Sequence, residues 1–223
     1  MEDDDNEPTR LTSPRALAFW EILSVTVSCL IAEWVVLSFL SLHRWLVIIP
    51  AMLAVAFMIL SHQAYQESLQ TLGFRLDNFL AAFRQVLWPT VIALIVIFVV
   101  GWFLAGPPSP ARLLRPRLLL LPFWALFQQY ALQGFMNRRA QLIFGKGPGS
   151  VILIAVIFSL LHLPNLVLSG LTLVGGLVWG TVYQRQANLY ALAASHTLAS
   201  ISLVMALPLS TINGLRVGFK YFG

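Results

Sequence analysis

Long apolar runs separated by short polar links set the pattern of this chain. Seven runs, at about 17–40, 45–61, 79–104, 118–136, 150–168, 170–184 and 188–207, approach or reach the roughly 20 residues that carry a helix across a bilayer. The link at 62–78 is amphipathic and suits a membrane interface. The link at 105–117 is rich in Pro and Arg and reads as a loop with a basic rim, and the link at 137–150 is basic and ends in Gly and Pro turn signals. Pro164, two residues after His162, predicts a break in the fifth run. Gly175, Gly176 and Gly180 predict a helix that lets a neighbour approach closely. The pattern therefore predicts an all-α polytopic transmembrane bundle of about seven helices, one domain over 17–223.

Composition sharpens this. The chain is 58% hydrophobic and only 10% charged, with a mean hydropathy of +0.80. A soluble domain of 223 residues could not hide that much apolar surface. The acidic start, MEDDDNEPTR, predicts a disordered tail over 1–16. It lacks the basic region of a cleavable signal, so the first run reads as a retained helix. The net charge of +5 is scattered over the links, with no dense basic stripe for nucleic acid. Arg and Lys in alternate links lean toward a cytoplasmic N-terminus. Cys29, alone, excludes an intrachain disulfide.

Polar residues inside such runs face the bundle interior, and ionisable ones are candidates for function. Three groups stand out in the C-terminal half. Gln128, Gln129 and Gln133 share a turn and a half of helix, and Gln129 and Gln133, four apart, are placed to hydrogen-bond. Phe158 and His162 are also four apart. His196 lies near the middle of the last run, with Ser200 one turn on. These groups predict an intramembrane polar cavity between the fourth, fifth and seventh runs.

The order of these groups resembles the CPBP family of type II CAAX prenyl endopeptidases and bacteriocin-processing or Abi proteins. That family carries Glu-Glu-x-x-x-Arg on one helix, Phe-x-x-x-His on the next, and a later His followed four residues on by Asn or a similar polar residue. Here QQYALQGF stands at the first motif, Phe158 and His162 match the second, and His196 with Ser200 resembles the third. The similarity spans about 118–200. It implies a bacterial membrane protein acting on a membrane-associated or prenylated peptide, with membrane lipid as its surroundings and no cofactor. By the resemblance, the first glutamate activates water, the two histidines and the following polar residue hold it and stabilise the oxyanion, and the second glutamate pairs with the arginine.

This chain departs from the pattern at the charged positions. Gln128 and Gln129 replace both glutamates, and Gln133 replaces the arginine. An amide takes no proton near neutral pH, so Gln128 is no general base. After Asp77 the sequence contains no Asp or Glu. A base would have to be Glu33 or Glu21 folded across the bundle, a neutral His162 or His196, or a metal-bound hydroxide. Two histidines are too few for an ordinary zinc site, so no metal is expected. Two functions follow: an intramembrane peptidase with an altered catalytic turn, or a non-catalytic descendant that binds a lipidated or hydrophobic peptide as partner or immunity factor. Glu33 discriminates them, according to whether it reaches the histidines.

Overall fold

The computed structural model describes residues 13–39, 45–114 and 116–223. Most of the expected acidic tail, 1–12, lies outside the described residues. The first helix already begins at Pro14, where Ser13 accepts a hydrogen bond from the Ala16 N–H and proline occupies the first turn. Helix α1 (Pro14–Leu30) runs on through a π-helix (Ile31–Val36) into α2 (Leu37–Phe39). Then come α3 (Ile48–Ala64), the short α4 (Leu69–Leu72) and α5 (Phe79–Ala105). A composite helix follows: α6 (Leu121–Gln129), a π-helix (Tyr130–Asn137) and α7 (Arg138–Phe144). The chain continues through α8 (Pro148–Leu160), α9 (Leu166–Arg185), α10 (Leu189–Ala206) and α11 (Leu209–Ile212).

Among the described residues, five stretches are long and apolar enough to cross a membrane: Pro14–Phe39, Trp45–Ala64, Phe79–Ala105, Leu166–Arg185 and Leu189–Ala206, with Pro148–Leu160 a shorter apolar helix. The burial pattern is that of a membrane bundle. Phe103 is 84% exposed and Trp88 70%, whereas Gln129, Gln133 and Asn137 are wholly buried. Apolar side chains face outward because lipid solvates them; polar ones turn inward because only protein supplies their hydrogen bonds. The protein is an all-α integral membrane protein.

The fifth run stops earlier than its apolar composition suggests. Helix α8 ends at Leu160, residues 161–164 turn, and Asn165 caps α9 by accepting from the Leu168 N–H. The Leu163–Pro164 bond is cis. Helices α8 and α9 thus form a tight hairpin. At Gly176 a Cβ would lie 2.8 Å from the Ala155 Cα, so the close approach requires glycine. Helix α10 packs on α5 and α6, and α1 on α7 and α3. A cavity of about 320 Å³ lies between α1 and α3, lined by Ser24, Val25, Ser28, Leu53, Ala54 and Phe57.

Candidate functional site

Helices α8, α9 and α10 bring His162, Trp179 and His196 around the ring of Phe158. Phe158, near the end of α8, meets His162 edge-on at 4.7 Å between ring centroids and His196 at 6.0 Å. The two histidines therefore flank Phe158. The Nδ1 of His162 lies 2.7 Å from the Phe158 carbonyl, which only accepts. A proton is thus on Nδ1, and in the neutral ring the lone pair is left on Nε2.

His196 is held more tightly. Its ring stacks on Trp179 at 4.6 Å and 30°. Trp179 is itself fixed, because its Nε1–H donates to Ser195 Oγ at 3.0 Å and Ser195 shares a 2.7 Å bond with Thr90 of α5. Gln129 Nε2 lies 3.5 Å from His196 Nδ1, a long contact. Gln128 and Ser200 are half-buried, and neither makes a side-chain hydrogen bond among the described residues.

The bond expected between Gln129 and Gln133 is not formed. Gln133 Oε1 accepts instead from Asn137 Nδ2 at 2.7 Å. Gln129, just before the π-helix that begins at Tyr130, instead turns its Nε2 toward His196. Gln133 then heads a chain of neutral groups. Asn137 Oδ1 accepts from Gln184 Nε2 and Gln141 Nε2, and Gln184 Nε2 also reaches Ser150 Oγ. The position that would hold an arginine is thus built into an amide network with no charge in it.

Glu33 lies elsewhere. It sits in the π-helix of the first span, against the C-terminal segment, where a Cβ on Gly218 would fall 2.8 Å from the Glu33 Cβ. Gly218 takes a positive φ of 56° and donates its N–H to the Leu163 carbonyl. Among the described residues no hydrogen bond or ion pair joins Glu33 to either histidine. Glu21 does not reach them either. It is buried and pairs with Arg139, Nε to Oε2 at 2.9 Å, while Ser61 donates to its other oxygen.

That ion pair belongs to a knot the sequence did not reveal. Arg139 also binds Glu67 at 2.9 Å and lies 4.1 Å over the Tyr65 ring. Arg138 donates to Glu67 as well, and His62 Nδ1 is 2.7 Å from it. Burial pushes the Glu67 carboxyl up, but hydrogen bonds from His62, Arg139 and Arg138 outweigh it and hold it at about 2. The pairing spans α1, α3, the 65–78 link and α7, so no local spacing announces it. Among the described residues no group of three or more His, Cys, Asp or Glu is placed to hold a metal.

A family model described as "Type II CAAX prenyl endopeptidase Rce1-like" matches residues 110–202. This region is Rce1-like. The Rce1-like region contains Gln128, Gln129, Gln133, Phe158, His162, His196 and Ser200, and leaves out Glu21, Glu33 and Glu67. The motif resemblance and the family match thus meet on type II CAAX prenyl endopeptidases. No curated protein and no solved structure matches the chain.

Proposed function

We propose that this Rce1-like membrane protein binds a hydrophobic or lipidated peptide at the Gln129–His162–His196 cluster and does not hydrolyse it. What supports the reading is where the carboxylates go. Among the described residues, Glu21 and Glu67 are tied to Arg138 and Arg139, Asp77 to Arg75, and Glu33 packs on Gly218. Among the described residues, the polar side chain that reaches the His196 ring nitrogen is an amide, Gln129. Water activation needs a proton acceptor at that place, and an amide is none.

A second reading, hydrolysis with a histidine as base, draws on one observation: His162 keeps an unprotonated Nε2 because Nδ1 is committed to Phe158. The test uses purified protein in liposomes, with a prenylated tail peptide and a set of other membrane peptides. The unmodified protein, Gln128→Glu, Gln129→Glu and His196→Ala are compared for binding and cleavage. Binding without cleavage by the unmodified protein is the expected result, with affinity reduced in His196→Ala. Cleavage by the unmodified protein that disappears in His196→Ala would establish the peptidase reading instead.

A further inference from the structure

The segment that follows α11 is wedged between the first span and the turn that carries His162. On the side of the turn, the Gly218 N–H donates to the Leu163 carbonyl at 2.9 Å, and Asn165 donates to the Ile212 and Arg216 carbonyls. On the other side, a Cβ on Gly218 would fall 2.8 Å from the Glu33 Cβ and 3.1 Å from Glu33 Oε2, and the Phe222 ring lies 6.3 Å from that of Trp34. The π-helix around Glu33 packs mainly on its own span, on α3 and on this segment, rather than on α8 or α9. The backbone at Gly218 is thus what separates Glu33 from the residue after His162.

The wedge has a firm root and a strained neck. Ile212 is wholly buried and anchors the root in the apolar cluster of α9 and α10. The next three residues, Asn213, Gly214 and Leu215, all take positive φ, at 44°, 59° and 62°. Glycine and asparagine tolerate that region, but a leucine there is crowded by its own Cβ, so the neck is strained as it stands. Beyond it, within 216–222, Gly218 alone is buried. The closed arrangement also leaves Glu33 Oε2 buried with no hydrogen-bond partner among the described residues. A buried carboxylate oxygen without a donor is costly, and opening to water or to a guest relieves that cost.

We propose that residues 216–222 are a lid, closed in this structure and hinged at 213–215, that swings off Glu33 and the His162 turn to admit the peptide between the first span and the α8–α9 hairpin. This regulation rests on the peptide-binding reading above. A peptide that enters only the open form binds more weakly by the fraction of protein that is closed, so the lid sets the affinity without touching the bound peptide.

The test holds the lid shut. In a variant carrying Cys29→Ser, Trp34→Cys and Phe222→Cys, a short bismaleimide links positions 34 and 222. Binding of a prenylated tail peptide is measured in neutral phosphatidylcholine vesicles before and after linking, with partition into empty vesicles subtracted. Linking is expected to weaken binding by about tenfold or more. Unchanged binding after linking would overturn the lid and leave the peptide-binding reading intact. Amide exchange on the unmodified protein gives an independent measure: with saturating peptide, the Gly218 N–H and its neighbours in 216–222 are expected to exchange faster. Exchange that is unchanged or slower at saturation would also overturn the lid. Failure of the unmodified protein to bind the peptide would overturn the peptide-binding reading and this inference with it. The exchange measurement decides the matter even where the cysteine variant does not fold.

Discussion

Arg139 carries the largest expected single-residue effect. Its replacement by Met would leave Glu21 and part of Glu67 uncompensated in a buried setting. Breaking a buried pair from one side costs about 3–5 kcal/mol, so thermal unfolding in detergent should show a large loss, larger than that of Arg75→Met on the exposed pair with Asp77. Glu67 makes the knot sensitive to acid. Its folded carboxyl lies below the ordinary value, so its stabilisation is present above about pH 4.5 and is lost as pH falls toward 2. Thermal stability should decline across that window, and Glu67→Gln should flatten the decline. At this scale the sequence was unevenly legible. Phe158 and His162 were visible because an i, i+4 pair on one turn needs only local geometry. The roles of Glu21 and Arg139 were hidden, because nothing in the spacing joins residues that meet only after the chain has folded.

At the scale of elements, the helix around the glutamines departs from regular winding where its polar residues lie. A π-helix spans Tyr130–Asn137, and another spans Ile31–Val36 around Glu33. The four-residue spacing of Gln129 and Gln133 misled because each side chain has another partner, His196 for one and Asn137 for the other, while the helix itself was anticipated. The α8–α9 hairpin depends on contact at Gly176. Gly176→Leu would drive a side chain into Ala155 and is expected to cost about 1–3 kcal/mol, measurable as a lower unfolding temperature. Asn165 joins three pieces, since it caps α9 and donates to the Ile212 and Arg216 carbonyls. Asn165→Ala should cost at least the roughly 1 kcal/mol of a lost cap and should raise amide exchange in 161–164 and 212–218 before the rest of the bundle.

For the whole molecule, the apolar runs were the clearest signal, because a bilayer imposes length and hydropathy on every span. Their boundaries were less clear: the fifth run ended at a turn with Leu160, and the fourth became a composite of α and π segments. The charge balance between the two ends of the site was not legible at all. Gln129 of the neutral cluster and Arg139 of the charged knot lie on one continuous helical stretch, yet they follow opposite rules for burying polarity. The knot also constrains how the protein is made. Glu21 is translated long before Arg139, so the first span enters the membrane without its counter-ion. It must hold that carboxylate near water until α7 arrives. Synthesis halted before Arg139 is therefore expected to leave α1 at a shallower depth than in the finished protein, and completion of α7 draws it into place.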